Sequence, residues 1–311
     1  MARSRLEEQL SALGVLRTDP TSSATQSELR RALGSRQNAV VARAAEIAGE
    51  FLLSELEVDL VQAFERSMVN PVKVDPGCLA KTAIVEALYR MEASRPDTYL
   101  AGVGHVQMEP VWGGREDTAA RLRGLSALGL VRINYPNVML QLAQLLADPV
   151  SDARIAAARA IGYSGLEAGV PLLRYKALIG DSHPQVVCEC FTALLKLDAE
   201  PALAFVAGFL QHDDQAVQEA AAVALGESHQ IQAFPFLEAA WEDAIDGEIR
   251  RALLVAIALL RHERAIDFLI SQALEGGTPG AEALSALNVY QGDDRIWERV
   301  QRSLRERGQV R

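Results

Sequence analysis

Apolar residues recur along most of the chain at the three- and four-residue spacing of helices rather than at the alternation of strands. The stretch AVQEAAAVALGE (Ala216 to Glu227) shows the pattern in a small-residue form, and AVVARAAEIAGE (Ala39 to Glu50) aligns with it without a gap. ARIAAARAIG (Ala153–Gly162) and ARLRGLSALG (Ala120–Gly129) fall into the same frame. More divergent copies are VVCECFTALL (Val186–Leu195), IRRALLVAIA (Ile249–Ala258) and AKTAIVEALY (Ala80–Tyr89), and a weak last one ends near Asn288. The copies end at 49, 89, 129, 162, 195, 226, 258 and 288, so the intervals are 40, 40, 33, 33, 31, 32 and 30 residues. A period in this range is the signature of a stacked helical repeat.

Each copy predicts the same unit. A small-residue first helix, whose alanines let neighbouring backbones approach closely, is followed by a short turn, often with glycine. A second helix with bulky apolar positions comes next, as in VPLLRYKALIG and AIDFLISQAL. An aspartate recurs before the first helix: Asp75, Asp117, Asp148, Asp181, Asp213 or Asp214, and Asp246. Aspartate there caps orphan N–H groups and complements the helix dipole. Pro149 and Pro184 sit where a first-turn proline is tolerated. Two such helices cannot bury their apolar faces alone, whereas a stack of pairs builds one continuous core. The fold expected is all-α: an α-solenoid, a right-handed superhelix of about eight stacked antiparallel helix pairs with a concave and a convex surface.

The alanine-rich helix ending in A-L-G, the preceding aspartate and the period resemble the HEAT repeat, and more closely the short bacterial kind called PBS-lyase-like HEAT repeats. The resemblance covers roughly residues 37–305. It implies a binding scaffold first, and a bilin-lyase-like, chromophore-handling protein as the alternative. DNA glycosylases built on HEAT-like arrays give a third reading. The segments DPGC.AK and EPVWGG..DTA also look like segments of uncharacterised bacterial HEAT-repeat proteins, which adds no activity.

Residues 1–36 stand outside the repeat and read as an N-terminal helical arm or cap, with RTDPTSSATQ (Arg17 to Gln26) as a polar, turn-rich linker. Residues 37–305 form the solenoid and 306–311 a C-terminal tail. The N-terminal stretch is charged and has no apolar core of a secretory signal. The longest apolar run, Ala252 to Leu260, is nine residues, too short to span a bilayer. The cysteines, Cys78, Cys188 and Cys190, are three in number and do not make a disulfide framework. A cytoplasmic protein that does not engage a membrane is therefore expected.

The net charge of −10 argues against a general nucleic-acid binder, which needs a basic footprint. From Asp181 to Glu248 the chain carries thirteen acidic residues against the single cation Lys196, a net of −12. Asp213, Asp214, Glu242, Asp243 and Asp246 represent this acidic surface. It reads as helix capping and solvation, or as a field that steers a basic protein partner.

No nucleophile elbow, phosphate loop or zinc signature is present. The five histidines fall in turns on different edges of the array or alone, so no metal or other cofactor is expected. Cys78 follows Asp75 and Pro76 at a helix start with Lys73 and Lys81 nearby. A thiol in that setting is either a small packing residue or a reactive group with a depressed pKa. The second unit is seven to nine residues longer than units 4 to 7. The excess lies around HVQMEPVWGG (His105 to Gly114), where Pro110 stops a helix and Gly113–Gly114 opens conformations closed to other residues. MEPVW is expected to be extended. Trp112 either plugs the gap between units 2 and 3 or joins Tyr99, His105, Glu109 and Arg115 in a clamp for a peptide or small ligand. The leading reading is a non-enzymatic scaffold that binds a protein on its concave surface or edge.

Overall fold

The structure is a computed structural model and describes residues 2–308. Of the expected tail, 309–311 lie outside the described residues. The chain divides into two compact units at Ser164/Gly165. The first holds α1 (Ala2–Val15), α2 (Ser23–Leu33), α3 (Asn38–Glu50), α4 (Glu57–Met68) and the short α5 (Pro71–Val74). It continues with α6 (Leu79–Arg90), α7 (Pro96–Val103), a hairpin of β1 (Met108–Val111) and β2 (Gly114–Asp117), α8 (Ala120–Arg132), α9 (Val138–Leu145) and α10 (Ser151–Ser164). The second holds α11 (Val170–Ile179), α12 (Pro184–Leu197), α13 (Ala199–Ala207), α14 (Gln215–Glu227) and α15 (Phe234–Asp243). Then follow α16 (Gly247–Leu259), α17 (Glu263–Glu275), α18 (Gly277–Leu287) and α19 (Asp294–Gly308). Each unit is a stack of antiparallel helix pairs, the α-solenoid class. Among the described residues no helix is long and apolar enough to cross a membrane.

The first helices stack on one another: α3 on α6 and α8 on α10 in one unit, α12 on α14 and α14 on α16 in the other. Small side chains make this possible. A Cβ added at Gly49 would lie 2.7 Å from Ala87 Cα, and one at Gly226 would lie 2.4 Å from the Ala256 carbonyl oxygen. Both glycines end an A-L-G-type copy and both meet the residue two before the end of the next, so the repeat frame is a packing register. Second helices dock on the following first helix, as α4 on α6, α7 on α8 and α17 on α18. The core between the layers is aliphatic, with Ile47, Leu60, Ile84, Leu88, Leu194, Leu225 and Ile257 fully buried.

Turns inside the pairs also repeat. Leu52, Glu92, Asn134, His229 and Arg261 all have φ between 51° and 56°, and Gly165 has φ 66°. The N–H after the left-handed residue bonds back to the helix, as Leu53 to Ala48 (2.9 Å), Ala93 to Leu88 (3.0 Å) and Tyr135 to Leu130 (3.0 Å). This is the Schellman closure that glycine usually serves. Here a residue other than glycine takes the conformation at five of the six left-handed positions.

The polar stretch 17–26 is less of a linker than its composition suggests. Helix α2 starts inside it at Ser23, capped by Ser22 Oγ, which accepts the Thr25 N–H at 3.2 Å. The capping serine and the buried Leu29 and Leu33 outweigh the polar run.

Candidate functional site

The extra length of the second pair folds into the only strand pair among the described residues. Met108 pairs with Asp117, Glu109 with Glu116, Pro110 with Arg115 and Val111 with Gly114. Trp112 and Gly113 close the turn, and Gly113 has φ 91°, a conformation that glycine adopts without strain. Pro110 is tolerated because a two-stranded ribbon leaves each strand an open edge.

The base of the hairpin is held by buried charges. Asp75, fully buried, accepts the Ala80 N–H at 2.8 Å, the Lys81 N–H at 3.0 Å and the Asn38 amide at 3.1 Å. Lys81 Nζ, also fully buried, lies 3.0 Å from Asp75 Oδ2 and donates to the Ser67 carbonyl at 3.3 Å. Gln107, buried, donates through its amide nitrogen to the Asp75 carbonyl at 2.8 Å and to Glu109 at 2.6 Å. Both amide hydrogens are thereby used, so the Gln107 oxygen faces His105 Nε2 at 3.1 Å and that ring nitrogen carries the proton. Glu109 Oε1 also accepts the Gly77 N–H at 2.6 Å and the Thr118 hydroxyl at 2.9 Å.

At the other strand, Asp117 Oδ1 accepts the Gln107 and Ala119 N–H groups, each at 3.0 Å. Arg123, 2% exposed, joins Asp117 Oδ2 (2.7 Å) to Asp148. Its outer nitrogen donates to Asp148 Oδ1 at 2.9 Å, while its Nε lies 2.8 Å from Oδ2 as an ion pair without hydrogen-bond alignment. Arg123 also donates to the His105 carbonyl at 2.9 Å. Asp148 in turn accepts the Val150 N–H at 2.8 Å. Three helix-start aspartates thus share one network with the hairpin. Breaking a pair this buried costs about 3–5 kcal/mol, because the partner is left charged and unpaired.

These contacts set the titration of the hairpin. Burial works against the charges of Glu109 and Asp117, yet the hydrogen bonds they accept, with the Arg123 charge beside Asp117, hold both carboxyls below the ordinary range. Burial also holds the His105 imidazole below its usual value, against the opposing hydrogen bond it donates to the Gln107 oxygen.

The structure places the expected clamp residues in different settings. Tyr99 is a core residue of α7, 1% exposed, with its ring against Gly129 and its hydroxyl donating to the Ala93 carbonyl at 3.2 Å. Burial pushes its phenol up, and it offers nothing to a ligand. His105 and Glu109 belong to the base network. Arg115 is exposed on β2 and donates to the Met108 carbonyl at 3.1 Å across the ribbon. Trp112 plugs no gap: it stands fully exposed at the tip, at 104% of its reference area. The two-residue turn points it away from the helices, and no neighbour covers it. Val106, Met108 and Val111 add exposed apolar surface to the same ribbon.

Cys78 sits in a packed setting. It is fully buried at the N-cap of α6, and that burial pushes its pKa up to about 11, outweighing the Lys81 charge that would lower it. The depressed value that two nearby lysines suggest does not arise, because burial of the thiol outweighs the Lys81 charge.

The acidic residues of the second unit lie on exposed turns. Asp213 and Asp214 precede α14, and Glu242, Asp243 and Asp246 flank the turn before α16. Asp214 caps α14 through the Ala216 N–H at 2.9 Å, and Asp246 caps α16 through the Glu248 N–H at 2.7 Å. Among the described residues none of these five pairs with a lysine or arginine. Asp243 and Asp246 line a hollow of about 330 Å³ with Gln211, Gln218 and Ile245, and Ile245 is 99% exposed. Asp181 differs: its side chain is 2% exposed and paired with Lys176 at 2.8 Å.

The aspartates were legible as caps in the sequence. Lys81, Gln107 and Arg123 were not; for Lys81 and Arg123 the only signal was a charged residue at a helix position the pattern reserves for the core, and Gln107 lies in the coil before β1, where no pattern marks it.

Residues 173–258 match the family model of HEAT repeats. Among solved structures, the chain is similar to the complex of CpcE and CpcF of phycocyanin lyase from Nostoc sp. PCC7120. That likeness has 18% identity and a TM-score of 0.39, covering 90% of this chain and 93% of that one. It is also similar to human deoxyhypusine hydroxylase in complex with glycerol, at 17% identity and a TM-score of 0.33, covering 94% of this chain and 99% of that one. No curated protein matches the sequence.

Proposed function

We propose that this HEAT-repeat chain is a non-enzymatic interaction scaffold that grips a protein partner with the hairpin Met108–Asp117, using Trp112 as the anchor. One observation carries the reading: a tryptophan fully exposed at the tip of a two-stranded ribbon whose base is fixed by a buried charge network. An indole left in water is costly to maintain and becomes favourable when a partner covers it. Tryptophan is among the residues most enriched at binding hot spots. The rigid base means that little ordering entropy is lost when the tip is engaged. Arg115 and Glu116, exposed on β2, supply a polar rim beside the apolar tip.

The acidic turns of the second unit favour a basic partner. Asp213, Asp214, Glu242, Asp243 and Asp246 are exposed and unpaired by cations, so their field reaches solvent unneutralised and raises the encounter rate with a positive surface. The same field opposes nucleic acid, whose phosphates it repels.

The test is affinity purification of the tagged chain from its native host, with the Trp112→Ala chain and a chain carrying Asp213→Asn, Asp214→Asn and Asp243→Asn in parallel. A protein recovered by the wild type, lost with Trp112→Ala and weakened at raised salt with the acidic variant supports the proposal. Equal recovery by wild type and Trp112→Ala removes the hairpin from it.

A further inference from the structure

A second site lies in the first unit, away from the hairpin tip. The first helices α3 and α6 and the start of α8 enclose a cleft of about 560 Å³. That volume is within the range of small-ligand sites, roughly 300–1,000 Å³. Small residues of the helix stack, Ala45, Gly49, Ala83 and Ala87, line the cleft, with Gly49 packed on Ala87, and Gly77, Cys78 and Thr118 line the end next to the hairpin base.

The walls are unusual in their charge. Arg17, Arg90 and Arg121 all line the cleft, and so do Glu46, Glu50 and Glu86. Glu46 is engaged outside it, by Arg43 at 2.9 Å. Glu50 takes Arg17 at 2.7 Å. Glu86 is shared by two guanidiniums, Arg90 at 3.2 Å and Arg121 at 2.9 Å. Three arginines and three glutamates therefore line the cleft, and a local excess of one positive charge lies where Arg90 and Arg121 share the single carboxylate of Glu86. The Nε of Arg17 is buried with no acceptor. Arg90 and Arg121 are exposed on their outer sides, with half or more of each side chain open to solvent.

Arginine presents donors in a planar fork that matches a carboxylate in a bidentate way. An excess of one charge beside small apolar residues suits a monoanion with a compact apolar body better than a dianionic phosphate. We propose that this cleft binds a carboxylate, carried by a free organic acid or by the C-terminus of a peptide, through the exposed faces of Arg90 and Arg121. Thr82, on the wall and only half-buried, offers its hydroxyl as a further donor.

The experiment is a ligand titration of the full chain, by calorimetry or ligand-observed NMR, with three probes: benzoate, acetyl-trialanine with a free C-terminus, and inorganic phosphate. The amide of acetyl-trialanine is the control. Saturable binding of benzoate alone assigns a free acid. Binding of the acid tripeptide, with its amide at least about tenfold weaker, assigns a peptide end, since a lost charge-assisted pair is worth about that much. Either result requires that Arg90→Gln with Arg121→Gln weaken binding by about tenfold or more, and that melting stay unchanged because both side chains are exposed. Phosphate binding as tightly as the carboxylates, no saturable binding of either carboxylate, or indifference to the double substitution overturns the assignment. Trp112→Ala leaves this binding unchanged, so the cleft and the hairpin fail or stand separately.

Discussion

Asp117 and Asp246 both precede a first helix and both accept a backbone N–H two residues on, Ala119 and Glu248, yet their settings differ. Asp246 is exposed, and its carboxylate meets only the Glu248 and Ile249 N–H groups and water. Asp117 has a side chain 6% exposed and shares Arg123 with Asp148. Before α14 and α16 the aspartate stays at the surface, and these turns together form an acidic edge. Before α8 the connection is longer, and its additional residues fold over the aspartate. Its charge must then be met by buried cations, and the covering hairpin becomes fixed enough to display a tryptophan. One repeated capping residue thus yields a steering field in one unit and a rigid anchor in the other.

The largest expected effect that separates the two regions is Arg123→Ala. It leaves Asp117 and Asp148 buried without their cation and should cost about 3–5 kcal/mol in urea unfolding followed by circular dichroism. A loss below about 1 kcal/mol would show that the network is solvated and the hairpin base loose.

Acid should act next. Glu109, Asp117 and His105 all have folded pKa values below their ordinary ones, so the folded state binds fewer protons. Their contribution is therefore fully present above the unfolded values, near 6.5 for histidine and about 4 for the carboxyls, and is lost as pH falls through the folded values. The urea midpoint should decline as pH falls from 7 towards 3, and Glu109→Gln should flatten the carboxylate part of that decline. An unchanged pH profile in Glu109→Gln would mean that the Gly77, Gln107 and Thr118 bonds do not favour the ionised form.

Asp246→Ala should cost about 1 kcal/mol, the ordinary loss of a helix cap. Measured beside Arg123→Ala, it gives the ratio between an exposed and a buried version of the same motif. A loss equal to that of Arg123→Ala would erase the distinction drawn between the two units.

The smallest effect is at Cys78. With its thiol buried and pushed up to about 11, the native chain should not react there with a maleimide at pH 7. Rapid native labelling, located by peptide mass mapping, would place the thiol outside the packed base.

The repeat was legible because its signal is one of packing. The A-L-G columns mark where backbones touch, and Gly49 on Ala87 and Gly226 on Ala256 reproduce the register read from letters alone. The helix-start aspartates were legible for a similar local reason, since a cap and its helix are neighbours in sequence. The hairpin was half legible: Pro110 and Gly113 announced an extended, turning segment. Its exposure was not, because a lone tryptophan in an apolar context reads equally as a plug. The charge network was not legible, because its partners lie far apart in sequence. Asp75 meets Gln107 across 32 residues and Arg123 meets Asp148 across 25. Of the two readings of Cys78, the small packing residue agrees with its burial, which the charged residues near it in sequence did not announce.

The central claim is that the buried base exists to present Trp112 to a protein. Its most direct test is the dissociation constant of the partner recovered by affinity purification, measured for wild type and Trp112→Ala chains whose melting temperatures have been shown to match. The account predicts at least about a thirtyfold loss of affinity, the size expected of a hot-spot tryptophan worth about 2 kcal/mol or more, with melting unchanged. Equal affinity in the two chains would contradict it.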